Sequence, residues 1–127
     1  MSKLVVDSSA WVEYFLGTEK GRAIREKFKN QELLTTGLIA SEVGMKFLRD
    51  VGGSEEVFTA LKSLSLLIPF DFYLAEQTSE IYVKHRKSKP KFGLADAHVL
   101  AAARIIGAKV LTCDNDFVGI PDAIIIR

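Results

Sequence analysis

Short apolar runs alternate along the chain with longer segments of helical periodicity. Leu4-Val5-Val6 is wholly apolar and stops at Asp7, the pattern of a strand buried on both faces. Ser8 or Ser9 is placed to cap a helix that continues from Ala10 to Leu16, where Gly17 breaks the pattern. A second helix is predicted from Glu19 to Lys29, with Ile24 and Phe28 turned inward among charged neighbours. Leu33 to Thr36 reads as a strand, and Gly37 leads into a helix from Leu38 to Asp50 that ends at Val51-Gly52-Gly53. Val57, Phe58, Leu61 and Leu64 then recur at helical spacing, followed by a third strand over Leu66 to Phe70. An amphipathic helix from Tyr73 to Lys87 and a loop over Lys89 to Gly93 precede the nearly all-apolar helix Leu94 to Ile106, closed by Gly107. Lys109 to Thr112 is the fourth predicted strand and Ala123 to Ile126 the fifth.

Strands that alternate with helices imply a three-layer α/β/α domain with a mostly parallel, five-stranded sheet. No linker or repeat divides residues 1–127, which are expected to form a single domain. In such sheets a ligand crevice lies beyond the carboxyl ends of the strands, so the polar residues gathered there matter most.

Composition narrows the chemistry. With 48% hydrophobic and 26% charged residues, the chain is globular rather than disordered. The one cysteine, Cys113, permits no internal disulfide, and with only His85 and His98 beside it no structural zinc site can form. The chain enters its first strand directly after Met1-Ser2-Lys3, and no apolar run approaches the ~18 residues of a membrane span. A cytoplasmic protein without membrane contact is therefore expected. The net charge of +1 argues against a purely electrostatic nucleic-acid binder.

Carboxylates, by contrast, collect on one predicted edge. Asp7 ends the first strand, Asp114 and Asp116 follow the fourth, Glu42 lies early in the helix leaving the second, and Asp96 sits in the first turn of the apolar helix feeding the fourth. Each has an ordinary alternative. Glu42 can pair with Lys46 at i, i+4, Asp96 can complement a helix dipole, Asp7 can cap a helix, and Asp114 and Asp116 can be turn residues. Jointly these alternatives are less persuasive, because like charges in one crevice repel and raise each other's pKa unless a cation neutralises them. An all-carboxylate set selects Mg²⁺ or Mn²⁺ over zinc and suits phosphodiester hydrolysis. An aspartyl phosphatase would need an acid at Ser9, a phosphoacceptor domain an acidic pair before the first helix, and no Walker-type loop occurs.

Leu4-Val5-Val6-Asp7-Ser8-Ser9-Ala10, Ser41-Glu42-Val43, Leu94-Ala95-Asp96-Ala97-His98 and Leu111-Thr112-Cys113-Asp114-Asn115-Asp116-Phe117 together resemble the PIN-domain ribonucleases, above all the VapC-type toxins of prokaryotic toxin–antitoxin pairs. The likeness spans the whole chain. It implies metal ligands at Asp7, Glu42, Asp96 and Asp114, with Asp116 accessory or alternative, and supporting hydroxyls at Ser8 or Ser9 and at Thr112. It further implies Mg²⁺- or Mn²⁺-dependent endonucleolytic cleavage of RNA by a metal-activated water, a homodimer, and a small DNA-binding antitoxin as partner.

Other features bear on that reading. Lys84 to Lys91 carries five of the 17 basic residues and no acid; Arg86, Lys87, Lys89 and Lys91 are candidate RNA contacts, or simply a solvated helix end. Lys46 and Arg49 share a face with Glu42 and suit phosphate contact or, preferably, ion pairing. His98 reads as a core histidine, Cys113 as a small buried hydrophobe, and Trp11, Tyr14 and Phe15 as core or dimer interface. The competing functional classes are a non-catalytic PIN-like module that binds RNA or protein, and a metal-dependent DNA nuclease or phosphatase.

Overall fold

The computed structural model describes residues 2–127; Met1 of the Met1-Ser2-Lys3 start lies outside them. The elements run β1 (Lys3–Val6), α1 (Ser8–Leu16), α2 (Glu19–Phe28), β2 (Glu32–Thr36), α3 (Gly37–Asp50), α4 (Glu55–Leu64), β3 (Leu66–Ile68), α5 (Phe72–Arg86), α6 (Leu94–Ile106), β4 (Lys109–Thr112), a 3-10 turn (Asn115–Phe117) and β5 (Ala123–Ile125). The five strands form one sheet in the order β3-β2-β1-β4-β5, and all four pairings are parallel, so the expected α/β architecture holds and the sheet is more uniform than expected.

β1 is central. Val5 pairs with Leu34 on one side and Val110 on the other, and Leu4, Val5 and Val6 are all buried. The chain steps from β1 outward to β2 and β3, then returns to place β4 on the other side of β1. That reversal opens a crevice beyond the carboxyl ends of β1 and β4. Asp7 and Asp114 follow those two strands.

Several boundaries differ from the sequence reading for local reasons. β3 ends at Ile68 because Pro69 has no N–H to give a ladder. α1 starts at Ser8, two residues before Ala10, and its cap is Asp7, whose carboxylate accepts from the Ser8 N–H; neither Ser8 nor Ser9 is the cap. Both serines are thereby drawn into the first turn, which turns out to matter for the site.

The core is filled from both faces of the sheet. Trp11 is fully buried and stacked on Phe15 at 5.4 Å, while Phe15 meets Phe47 edge-on, which assigns Trp11 to the interior rather than to an interface. On α6, Ala97 and Val99 to Ala103 are buried, small side chains that let the helix lie close to β1, β4 and α5. His98 is the one polar member of that buried run, 1% exposed. Its Nε2 lies 2.7 Å from Thr36 Oγ1, and its ring stacks on Phe70 at 4.5 Å.

Helices α1 and α2 cross where only glycine fits. A Cβ on Gly21 would stand 1.9 Å from the Glu13 carbonyl oxygen. Gly21→Ala is therefore expected to lower stability by about 3 kcal/mol, measured by urea unfolding, because backbone rather than a flexible side chain obstructs it. His98 generates a second expectation. Burial pushes its pKa from 6.5 down to about 4, so the unfolded chain binds the extra proton first. Stability conferred by the neutral ring is complete above the unfolded value and is lost as pH falls from about 6.5 towards about 4. The stability difference between the parent and His98→Leu should shift against the parent across that window, read from urea midpoints at successive pH values.

Candidate metal centre

Asp7 is 5% exposed and anchored on both oxygens. Oδ1 accepts the Ser8 N–H at 2.9 Å, and Oδ2 accepts the Ser9 hydroxyl at 3.0 Å and the Thr112 hydroxyl at 2.8 Å. Those hydroxyls are themselves held: Ser9 Oγ accepts the Cys113 N–H and Thr112 Oγ1 accepts the Asp114 N–H, each at 3.0 Å. The end of β1, the first turn of α1 and the exit from β4 are thus joined into one hydrogen-bonded unit. Burial raises the Asp7 pKa; the bonds from Thr112, Ser9 and Ser8 oppose that rise, and Asp114 adds repulsion.

Asp96 comes from the start of α6. Its Oδ2 accepts the Gly93 N–H at 2.8 Å, so it does serve the helix end, as one of the ordinary readings holds. It also does more. Burial, with Asp114, Asp7 and Asp116 adding negative potential against the Gly93 bond, pushes its pKa up to about 6. Asp114 caps the 3-10 turn, its Oδ1 accepting the Asp116 N–H at 2.8 Å. This turn swings Asp116 back towards the crevice. Asp96, Asp114 and Asp116 each bring a carboxylate oxygen within 4.8 Å of the others.

Of the acids singled out from sequence, the tightest group is therefore Asp96, Asp114 and Asp116. Asp116 is a full member of that group, whereas the family resemblance implies for it only an accessory or alternative place. Asp7 adjoins them as the buried charge felt by Asp96. Glu42 faces Asp7 from the second turn of α3; burial first and Asp7 second raise its pKa, while the Ser8 hydroxyl lowers it. Glu42 does not pair with Lys46. Lys46 turns to Asp50 at 3.2 Å, and Arg49 does the same at 2.9 Å. Cys113 is half-buried and packs against the edge of the core as a small hydrophobe, while its backbone N–H donates to Ser9.

No basic side chain forms an ion pair with these acids among the described residues. Three or more carboxylates sharing a partly dry crevice, with no internal counter-charge and only oxygen donors, fit a hard divalent cation. A groove of about 460 Å³ leads away from the site between α1 and α3, lined by Ser8, Val12, Leu16, Glu42 and Met45. A cavity of similar size at the opposite end of the sheet, beside Lys3, Gln31 and Lys109, has no acid in its lining.

The basic stretch is divided in its roles. Arg86 donates to the Tyr82 hydroxyl at 2.7 Å and the Phe92 carbonyl at 3.3 Å, and the Lys89 ammonium donates to the Val118 carbonyl. Lys87 and Lys91 are exposed and make no ion pair among the described residues.

Residues 4–123 match the PIN domain family. No curated protein matches the chain. Among solved structures, the chain is similar to a toxin–antitoxin complex from Klebsiella pneumoniae, with TM-score 0.78, 19% identity and 95% of each chain covered. It is also similar to VapC20, a sarcin–ricin loop cleaving toxin of Mycobacterium tuberculosis, with TM-score 0.71 and 20% identity over 90% of this chain and 92% of that one. DNA-bound VapBC from Salmonella typhimurium aligns with TM-score 0.75 and 17% identity over 98% and 97%. At these identities the likenesses speak for the fold; the match over residues 4–123 carries the assignment, and the chain belongs to the PIN domain family.

Proposed function

We propose that this chain is an Mg²⁺- or Mn²⁺-dependent endoribonuclease, the toxin of a VapC-type toxin–antitoxin pair. The observation that carries the reading is the convergence of Asp96, Asp114 and Asp116 within 4.8 Å beside buried Asp7, on the strand ends of a PIN domain. The toxin–antitoxin complexes among its structural relatives support the toxin reading, and the sarcin–ricin loop cleaving toxin supports the choice of RNA.

Asp96, Asp114 and Asp116 would hold the cation, with Asp7 and Glu42 completing the negative shell. A bound Mg²⁺ or Mn²⁺ supplies a water of lowered pKa and polarises the phosphate. The chain's own contribution is orientation. Ser9 and Thr112 occupy Asp7 Oδ2, so only its Oδ1 side, already holding one N–H, retains capacity towards the crevice. Glu42 is placed to accept a proton on the Asp7 side of the site. Lys87 and Lys91 offer unpaired cations to the phosphates of a strand approaching the loop before Asp96, whereas Lys46, Arg49, Arg86 and Lys89 are engaged within the chain.

A small DNA-binding antitoxin and a second copy of the chain are the proposed partners. Two exposed apolar surfaces suit them: Leu16, Met45, Leu48 and Val51 along α1 and α3, and Leu66, Leu67, Phe70, Phe72 and Tyr73 around β3 and the start of α5. No helix among the described residues is long and apolar enough to cross a membrane.

Purified protein, freed of any partner, should cleave single-stranded RNA with Mg²⁺ or Mn²⁺ and not in chelator. Asp7→Asn and Asp96→Asn should each abolish cleavage. The same Asp96→Asn change should stabilise the metal-free protein at pH 7.5 by about 1 kcal/mol, after discounting for solvent screening, since it removes a charge the fold disfavours. Cleavage that survives these substitutions would sink the reading, as would cleavage in chelator. The double variant Lys87→Ala, Lys91→Ala should retain metal binding but weaken RNA binding in chelator. Its log–log salt dependence should become shallower by about 1.4, the value for two lost single-strand phosphate contacts.

A further inference from the structure

Glu42 and Asp96 approach the site on helices that share little packing. α3 lies chiefly against α1, α4 and β2, whereas α6 lies against α5, β1 and β4. Apolar contact through the sheet is non-directional and by itself specifies no exact setting of one helix against the other. One directed bond links the cap of α3 to the N-terminal part of α6. Thr36 is the last residue of β2 and the cap of α3, its Oγ1 accepting the Ile39 N–H at 3.2 Å. The same oxygen lies 2.7 Å from Nε2 of His98, two residues beyond Asp96 on α6. Thr36 is wholly buried, His98 is 1% exposed, and Phe70 stacks on the imidazole with the planes 19° apart, fixing the ring.

Packing alone does not account for an imidazole there. Leucine would fill an apolar site of this kind without leaving Nδ1 buried and unpartnered, as it is in His98. What the imidazole adds is the single hydrogen bond to the cap of α3. We propose that the His98–Thr36 bond is a brace that sets Glu42 against Asp96, which makes His98 and Thr36 positioning residues of the metal centre. The proposal rests on the metal-dependent reading above, and it concerns residues that touch neither metal nor RNA.

The test is a double-mutant cycle read by Mn²⁺ titration calorimetry and by single-turnover RNA cleavage, with melting temperatures to confirm folding. His98→Leu should weaken Mn²⁺ affinity about tenfold, the usual scale for loss of a group that orients a ligand, while His98→Gln, whose amide reaches the Nε2 position, should stay within about threefold of the parent. In a Glu42→Gln background the effect of His98→Leu should shrink below about twofold, because the brace then has nothing to position. If His98→Leu fails to fold, Thr36→Val removes the same bond, with Thr36→Ser as its conservative control. Unchanged affinity in His98→Leu would overturn the brace. So would an equal loss with and without Glu42, which marks a general packing defect. A parent that binds no Mn²⁺ would overturn both readings; a parent that binds Mn²⁺ without cleaving RNA would overturn the nuclease reading alone, and the affinity ratios would still decide the brace.

Discussion

Carboxylates forced together away from bulk water are the constraint around which this molecule is arranged. Asp7 is nearly inaccessible, Asp96 is held with a pKa of about 6, and Asp114 and Asp116 complete a cluster that repels itself. The surrounding structure responds with hydrogen bonds rather than with counter-ions. Two hydroxyls and an N–H converge on Asp7, the Gly93 N–H on Asp96, and the Asp116 N–H on Asp114. Such bonds orient the acids and favour their charged forms, but they cancel no net charge. What still offsets the repulsion is proton uptake, which the raised pKa values of Asp7, Glu42 and Asp96 reflect, or the divalent cation proposed above.

The parallel sheet makes that concentration possible. A parallel strand must be followed by a crossover, so every strand's carboxyl end is also near a helix start, and both kinds of terminus meet on one edge. Asp7 follows β1 directly and caps α1; Thr36 ends β2 and caps α3; Thr112 ends β4 two residues before the cap of the 3-10 turn. Backbone N–H groups left unpaired in the first turns then face the acids, and their partial positive charge reduces the cost of gathering them. The same principle explains why α6 can be almost featureless. Its role is to lie flat on β1 and β4 and deliver one acid at its first turn, and alanines serve that better than larger side chains.

Where sequence pattern was sufficient, the deciding forces were local. Uninterrupted apolar runs marked β1 and β4, glycines marked the ends of α1 and α6, and acids after strands marked the site edge. Where it was not, a tertiary contact chose between equivalent local options. Lys46 has an acid four residues to each side, Glu42 and Asp50; Glu42 is turned inward towards Asp7, so Asp50 takes the pair. Three consecutive residues, Asp7, Ser8 and Ser9, could each cap α1. Asp7 does so because its chain leaves β1 there; the Ser9 hydroxyl then donates to Asp7, and the Ser8 hydroxyl lowers the pKa of Glu42. The partners of His98 lie on other elements, Thr36 being 62 positions away, and no spacing rule reaches that far.

The net charge of +1 conceals an arrangement with a sharper logic than neutrality. An acidic crevice repels the phosphates it is proposed to act on, so cations must stand close without entering it and neutralising the ligand set. Residues 84–91 suit that condition because two of their five basic side chains hold the loop itself in place. Arg86 grips the Phe92 carbonyl, next to Gly93, and Lys89 the Val118 carbonyl. Gly93 in turn gives Asp96 its backbone hydrogen bond. Lys87 and Lys91 are left facing solvent on a segment whose geometry is already fixed by their basic neighbours. The proposed attraction of a polyanion and the placement of Asp96 thereby share one short run of chain, and a substitution at Arg86 would disturb the second even if the first were restored by another charge.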